Sequence, residues 1–176
     1  MKIHFTKQTS VGTVILASDS LRSAPYEATL RRELEKVLTP MIPYWSVSLF
    51  LKGSRSKTLG EVDGIMVVGS GATWIRVLEF KKSLCPSKGS DIVRQLGRAR
   101  LVLSVFIDWL RTLRRRPLGW SYSVIVADRY DVKTAKRLKK LGISVQSIEE
   151  IISGGKKVFF ESLIPRSISE IESSRF

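Results

Sequence analysis

The sequence predicts a mixed α/β domain in which one β-sheet carries helices on both faces. Three observations lead to this fold class. Three apolar segments, 44–51, 62–68 and 74–80, follow one another closely, as the strands of a sheet do. Residues 92–113 come next and have the apolar periodicity of a long helix. Residues 121–152 then alternate between strand and helix patterns, which indicates helices that cover a sheet.

The elements begin with a short hairpin and a helix. Residues 2–6 and 13–17 are expected to form a leading hairpin or a cover strand. Pro25 suits the first turn of a helix, and Pro40 and Pro43 are expected to end that helix. Between these prolines, apolar residues recur at helical spacing: Tyr26, Leu30, Leu34, Val37 and Leu38.

The central segments predict a strand pair and a long helix. Gly69-Ser70-Gly71-Ala72 is a good hairpin turn between the strands at 62–68 and 74–80. Ser90 and Asp91 can cap the helix that follows, which ends before Pro117 and Gly119. Its apolar residues form one continuous stripe: Ile92, Leu96, Ala99, Leu103, Phe106, Leu110 and Leu113.

The last part of the chain predicts further strands and helices. Strands are expected at 121–127 and 143–146, and helices at 132–141 and 148–152. Residues 166–176 are polar and are expected to form a loose tail. The predicted order is therefore αβββαβ with an αβα extension.

Length and charge indicate one nucleic-acid-binding domain. The chain of 176 residues, 43% of them apolar, is long enough for a single core, here assigned to residues 1–165. Lys and Arg number 30 against 16 Asp and Glu, a net charge of +14. Such an excess repels itself unless a polyanion neutralises it, and nucleic acid is the commonest polyanionic partner.

Other features argue against a membrane or secreted protein. No apolar run approaches the roughly 20 residues that span a bilayer, and the basic residues are spread along the chain. The first residues lack the apolar stretch of a secretory signal. Cys85 is the only cysteine, which excludes an internal disulfide or a cysteine-cluster zinc site. An intracellular, cytoplasmic setting is expected, in a cell or in an infected host cell.

Three polar residues at strand ends predict a metal site. Asp63 lies at the start of one predicted strand, and Glu79 and Lys81 lie at the end of the next. If these strands pair antiparallel, the two acids lie side by side, and alternation places Glu79 and Lys81 on the same face. Two carboxylates can hold Mg²⁺, and a lysine beside them can orient a water or stabilise charge on a phosphate. Each residue alone could instead be an ordinary surface or turn residue.

The same residues resemble a known nuclease signature. Glu61-Val62-Asp63-Gly64, fifteen residues after Asp63, and then Glu79-Phe80-Lys81 resemble the PD-(D/E)XK nuclease superfamily. That superfamily includes restriction endonucleases, archaeal Holliday-junction resolvases and RecB-like nucleases. The resemblance covers roughly residues 25–127 and implies a restriction-endonuclease-like fold, with Mg²⁺ or Mn²⁺ held by the two acids and a lysine that assists the attacking water. Val62 stands where the name-giving proline would be.

The resemblance also implies two supporting residues. Many members add an acid from the first helix, which by position is Glu27 as a further metal ligand, with Glu33 as the second candidate. RecB-like members place a glutamine early in the next helix, and Gln95 matches that position. Both Glu27 and Gln95 are ordinary residues for the exposed side of a helix, so a purely structural role is the alternative.

Basic residues near the predicted site are candidates for phosphate contacts. The alternative for these residues is that they are ordinary solvated charges of a flexible loop or of a helix surface. They are Lys52, Arg55 and Lys57 before the Asp63 strand, Lys82 after the Glu79 strand, and Arg94 and Arg98 on the long helix.

Two hypotheses for the function follow. The chain is either a metal-dependent nuclease, with DNA favoured over RNA as substrate, or an inactive nuclease fold that binds DNA or RNA in a structural or regulatory role. A membrane-surface protein is a third, weaker hypothesis. A homodimer would present two sites to two strands, and the apolar segment Val158-Phe159-Phe160 could serve such a partner or the core.

Overall fold

One seven-stranded β-sheet organises the protein. The structure, a computed structural model, describes residues 3–17, 24–39, 42–54 and 56–173. Its strands are β1 (Ile3–Gln8), β2 (Gly12–Ala17), β3 (Ile42–Leu51), β4 (Thr58–Val68), β5 (Ala72–Lys81), β6 (Arg116–Val126) and β7 (Ile143–Ser147). Its helices are α1 (Pro25–Leu38), α2 (Gly89–Thr112), α3 (Val132–Lys140), α4 (Ile148–Glu161) and α5 (Ser169–Glu172).

The strands lie side by side in chain order. β1 to β5 pair antiparallel with their neighbours, whereas β5, β6 and β7 run parallel. Parallel neighbours need a crossover connection, and α2 and α3 provide the two crossovers. The predicted mixed sheet flanked by helices is thereby confirmed.

Two apolar cores lie on opposite faces of the sheet. One core lies between the sheet and α2, α3 and α5, and Trp120 and Tyr122 of β6 are its largest fully buried side chains. The other lies beneath α1 and α4 and includes Phe80 and Phe159. Phe159, in the segment considered for a partner or the core, therefore serves the core. Dimerisation stays a prediction.

Several predicted boundaries differ from the structure. β4 begins at Thr58 and β6 at Arg116, each several residues earlier than expected. Pro117 can lie inside β6 because the β5–β6 register is irregular beside it. Pro43 lies inside β3 and does not end α1, and Pro40 is outside the described residues. α4 continues past Ile152 to Glu161 through a kink at Gly155, where φ is +66°.

The predicted cap of α2 is wrong. The chain enters this helix through a 3-10 turn, Pro86–Lys88. In that turn the Lys88 N–H donates to the Cys85 carbonyl and the Gly89 N–H donates to the Pro86 carbonyl. Helical geometry is therefore established before Ser90 and Asp91, which lie inside the first turn.

The loose tail expected from residue 166 is also wrong over residues 166–173. Arg166 exchanges two backbone hydrogen bonds with Trp120, and its guanidinium lies 4.9 Å from the Trp120 ring centroid. Ile171 of α5 is fully buried in the core beneath α2. Polar composition hid this docking because only Ile171, which is fully buried, and Ile168, which is partly buried, join the core from the described part of this segment.

Candidate active site

Asp63 and Glu79 lie side by side where β4 and β5 meet. The antiparallel register pairs Gly64 with Leu78, so the next position brings Asp63 opposite Glu79. There the Phe80 N–H donates to Asp63 Oδ2 over 2.7 Å. The Asp63 carboxylate thus takes a backbone hydrogen bond and is fixed at the junction of the two strands.

A break in strand alternation positions Asp63. Val62 and Ile65 pack in the same core, although residues three apart in a regular strand point to opposite faces. In the neighbouring strand Tyr44 and Val47 show the same break, and Ser46 between them has a φ of +50°. This left-handed conformation is strained for a serine. Both strands therefore change their inward face at the level of Asp63.

Lys81 completes the group. Its Nζ donates to Glu79 Oε1 over 2.6 Å, as alternation along β5 predicts for residues two apart. Glu79 is only 5% exposed, and the Lys81 side chain is 18% exposed. The ammonium therefore lies nearer the mouth of the site than the Glu79 carboxylate.

Burial makes ionisation of the acid pair unfavourable. Desolvation, and then the charge of Asp63, raises the pKa of Glu79 from 4.5 to about 8, although Lys81 opposes the shift. Burial also raises the pKa of Asp63, against the Phe80 N–H and the charges of Lys81 and Arg31. Two buried carboxylates in contact repel each other, so a proton or a cation between them would be stabilising.

Helix α1 adds an acidic side chain, Glu27, and a cationic one, Arg31. Burial, and then the charge of Asp63, raises the pKa of Glu27, which shows that this carboxylate lies near the pair. Arg31 is 6% exposed, donates to Ser46 Oγ over 2.8 Å and lies 4.0 Å from Glu27 Oε2. Glu33, the second candidate for the helix acid, pairs instead with Lys36 over 3.0 Å and with Arg32 over 3.8 Å.

Gln95 and Arg98 of α2 line the cleft above the acids. A cleft of about 520 Å³ is bounded by Asp63, Glu79, Gln95, Arg98 and residues 58–61. A second depression of about 330 Å³ shares Gln95 and Arg98 and reaches Lys81. The Gln95 Oε1 is buried without a hydrogen-bond partner among the described residues, so it can accept one from a molecule in the cleft.

A glycine allows α2 to approach the cleft floor. A Cβ at Gly60 of β4 would lie 2.8 Å from the Arg98 carbonyl oxygen and 3.1 Å from Val102 Cγ2. Only glycine permits this distance between strand and helix. The close contact sets the depth of the cleft and the position of Arg98 over it.

The predicted phosphate contacts lie at different distances from the acids. Arg98 lines the cleft with the acids, and Arg94 lines the adjoining depression. Lys82 is exposed and directly follows Lys81 at the end of β5. Lys52 and Lys57 are exposed in the β3–β4 connection, which leads into the cleft wall at Thr58. Arg55 lies outside the described residues.

The donor set fits a hard divalent cation, although the protein supplies few ligands. Within the described ranges, no group of three or more His, Cys, Asp or Glu side chains is gathered closely enough to hold a metal. The role of Glu27 as a third ligand stays a prediction. The pair itself offers buried, mutually repelling carboxylate oxygens. Mg²⁺ is commonly bound through one or two carboxylates with several waters, so this chemistry suits it.

Sequence reasoning missed Arg31 and Tyr122. Arg31 is on the same helix side as Glu27, four residues later, and that spacing was available as a signal. Tyr122 is fully buried, and burial followed by the charge of Glu79 raises its pKa well above the ordinary value. Tyr122 lies near Glu79 because of the parallel β5–β6 register, which the pattern of a single sequence does not reveal.

Comparisons with known proteins leave the family open. No family model matches the chain, and no curated protein matches it. Among solved structures, the chain is similar to one titled "Crystal Structure of Protein of Unknown Function AF1548", with 14% identity and a TM-score of 0.38. The match covers 78% of this chain and 65% of that chain, so this chain spans less than two thirds of the length of the solved protein. No helix in the described part of the chain is long and apolar enough to cross a bilayer.

Proposed function

We propose that this chain is a divalent-metal-dependent nuclease of the PD-(D/E)XK kind, with DNA favoured over RNA as substrate. One observation carries the proposal: Glu79, which is buried, and Asp63, which is partly buried, form a carboxylate pair at the floor of a cleft, with Lys81 bonded to Glu79. An acid pair of this kind is unfavourable in a merely structural role, because burial and mutual repulsion both oppose its charge.

Asp63 and Glu79 would hold Mg²⁺ or Mn²⁺, and Glu27 would add negative charge from α1. The cation supplies Lewis-acid polarisation of a phosphodiester when bound. The Lys81 ammonium, which pairs with Glu79 at the mouth of the site, would donate to a water or to a phosphate oxygen.

The cleft wall would orient the substrate. Arg98 can donate to a phosphate oxygen, and Gln95 can accept a hydrogen bond through its unpartnered Oε1. Arg31 stays buried behind Asp63 and Glu27, where its charge favours their ionised forms. These roles use the chain's own hydrogen-bonding groups and need no histidine or cysteine.

The element order also supports the assignment. α1, β3, β4, β5, α2 and β6 follow one another in the order that a restriction-endonuclease-like fold has. The acids lie on its second and third core strands, and Gln95 lies early in the helix that follows. β7 with its flanking helices, α3 and α4, is then the extension.

A cleavage panel tests the proposal. Linear, nicked, flapped and four-way DNA, with duplex RNA beside them, would be incubated with Mg²⁺ or Mn²⁺. We expect cleavage of at least one DNA substrate, lost on addition of EDTA and lost in Asp63→Asn and Glu79→Gln. Glu33→Gln, which removes an acid from the same protein outside the site, should cleave normally.

The rival hypothesis, an inactive nucleic-acid-binding fold, predicts a different result. Wild-type protein would then bind the same substrates and cleave none of them with either metal. Asp63→Asn separates the two cases further, because an enzyme keeps its binding and loses its cleavage, whereas a pure binder has no cleavage to lose.

A further inference from the structure

Tyr122 of β6 carries a buried hydroxyl group that the packing of the core does not need. The side chain is fully buried between the sheet and α2. Its Oη is shielded from solvent and forms no hydrogen bond of normal geometry with the part of the chain that the structure describes. A buried hydroxyl without a partner is destabilising, because it has lost its hydrogen bonds to water. Phenylalanine would fill the same space without this loss, so packing alone does not explain a tyrosine here.

The parallel register of β5 and β6 brings the Tyr122 side chain beside Glu79. Tyr122 lies directly opposite Val77 in this register, and Glu79 follows two residues later, opposite Val124. Residues two apart in a strand share a face, and the valines and Tyr122 all pack in the core beneath α2. Glu79 is on this face too, since it lines the cleft together with Gln95 of α2. Tyr122 is therefore a diagonal neighbour of Glu79, a spacing that aromatic side chains can bridge.

The Tyr122 hydroxyl lies in the electric field of the acid pair. Burial, and then the charges of Glu79 and Asp63, raise the pKa of Tyr122 well above its ordinary value. The phenol therefore keeps its proton at neutral pH, and toward an ionised carboxylate it can act only as a donor. Lys81 donates to one oxygen of Glu79, Oε1, and a carboxylate can accept more than one hydrogen bond. Glu79 can therefore accept a second hydrogen bond, from the core side.

We infer that Tyr122 is a positioning residue for Glu79: its O–H donates to the ionised carboxylate and holds it in the orientation that binds a divalent cation. This inference rests on the proposed function, in which Glu79 is a metal ligand. A hydrogen bond to the ionised form stabilises that form, which is the one that binds a cation. Lys81 from the mouth and Tyr122 from the core would then fix the carboxylate from two sides. The hydroxyl thereby acquires the partner that the core does not provide.

The test measures metal binding and needs no substrate. Mn²⁺ would be titrated into wild type, Tyr122→Phe and Tyr44→Phe, with the free ion followed by its paramagnetic signal. Tyr44→Phe is the matched control, because it removes a hydroxyl from the same core on β3, which β4 separates from Glu79. There the Tyr44 ring packs edge-on against Phe106 and Trp109. Thermal melting in EDTA shows whether each variant is folded.

We expect Tyr122→Phe to bind Mn²⁺ about tenfold or more weakly than wild type, as is typical when the hydrogen-bond partner of a metal ligand is removed. Its melting temperature in EDTA should equal or exceed that of wild type, because the unpartnered hydroxyl is gone. Tyr44→Phe should bind Mn²⁺ like wild type. A folded Tyr122→Phe that binds Mn²⁺ as tightly as wild type, or an equal loss of affinity in Tyr44→Phe, would overturn the inference.

A spectroscopic signature separates positioning from packing. Saturating Mg²⁺ changes the hydrogen bonding of the Tyr122 phenol if it engages the bound carboxylate, so wild type should give a tyrosine difference spectrum in the ultraviolet. The difference should persist in Tyr44→Phe and shrink in Tyr122→Phe. Equal difference spectra in wild type and Tyr122→Phe would overturn the inference. So would the absence of a tyrosine difference in wild type, whatever the stability of the variants.

The outcomes separate this inference from the proposed function. If Tyr122→Phe weakens Mn²⁺ binding, yet wild type cleaves no nucleic acid with either metal, the positioning role stands and the nuclease proposal fails. If wild type cleaves DNA and Tyr122→Phe binds Mn²⁺ equally well, the nuclease proposal stands and the positioning role is wrong. A wild type that binds no Mn²⁺ overturns the positioning role.

Discussion

At the scale of single residues, the charge of the site depends on the ionisation of two neighbouring carboxyl groups, Asp63 and Glu79. Glu79 is buried, Asp63 is partly buried beside it, and each has the other as a neighbouring acid. Lys81 and the Phe80 N–H offset part of the repulsion, but the pKa of Glu79 still reaches about 8. Without a cation the folded protein therefore retains a proton that the unfolded chain releases near pH 4.5.

This difference makes stability depend on pH. A carboxyl whose pKa is raised by folding stabilises the native state below its unfolded pKa, and that contribution is lost as pH rises toward the folded pKa. Glu79→Gln imitates the protonated form. In EDTA, its free energy of unfolding relative to wild type should therefore increase between pH 5 and pH 8, by on the order of a few kcal/mol. Urea unfolding at several pH values measures the difference.

The partly exposed Glu33 provides the matched control. Glu33→Gln makes the same change in charge on the outer side of α1, where ion pairs with Lys36 and Arg32 are solvated. Its stability relative to wild type should change little over the same pH range. If the free energies of unfolding of wild type and Glu79→Gln changed equally from pH 5 to pH 8, the pKa of Glu79 would not be raised by folding.

The chemically important residues were predictable from the sequence where alternation and strand pairing determine them. Glu79 and Lys81 share a face because they are two apart, and Asp63 follows from the antiparallel hairpin. The spacing of Arg31 from Glu27 was a usable signal, but its contact with Ser46 was not predictable, because that contact depends on the break in alternation at β3 and β4. That break is a tertiary feature: a serine in a left-handed conformation stabilised by a buried guanidinium.

At the scale of elements, the contact between β4 and α2 shapes the site. Gly60 lets the helix backbone lie against the strand, which brings Arg98 and Gln95 over Asp63 and Glu79. The cleft therefore depends on a strand residue that carries no chemistry of its own. A side chain at this position would separate the two elements that form the cleft walls.

We expect Gly60→Ala to destabilise the protein by about 1–3 kcal/mol. Its Cβ would clash with the backbone oxygen of Arg98, which can move only with α2. Gly71→Ala is the control, because a Cβ there meets nothing within 4 Å, and it should change stability by less than about 0.5 kcal/mol. Urea unfolding measures the free energy of unfolding of both variants. Equal values would show that the close contact between Gly60 and α2 does not affect stability.

Helix and strand types were more predictable than their ends. The apolar stripe of α2 identifies the helix, because burial against the sheet requires it. Its start was mispredicted because a 3-10 turn replaces the side-chain cap that Ser90 or Asp91 could have formed. The kink at Gly155 similarly hid the second half of α4, whose Phe159 enters the core.

At the scale of the whole molecule, the end of the described chain is part of the core. α5 packs on α2, and Arg166 links the segment to Trp120 of β6. Glu170 and Glu172 form ion pairs with Arg100 and Arg111 of α2. The segment thereby neutralises part of a strongly basic protein on a side of α2 away from the cleft lining.

Truncation of the fully buried side chain of this segment should therefore destabilise the fold. Ile171 is fully buried, and Ile171→Ala should lower the free energy of unfolding by about 2–5 kcal/mol. Ile152, 49% exposed, provides the control, since Ile152→Ala should change it by less than about 0.5 kcal/mol. A loose tail would instead give the same small change for both variants in urea unfolding.

In the proposed function, Asp63 and Glu79 together hold one divalent cation. Titration of Mn²⁺, followed by the paramagnetic signal of the free ion, measures this directly. The account predicts one bound Mn²⁺ per wild-type chain, lost in both Asp63→Asn and Glu79→Gln and retained in Glu33→Gln. Mn²⁺ binding that is absent from wild type, or that survives both site substitutions, would contradict it.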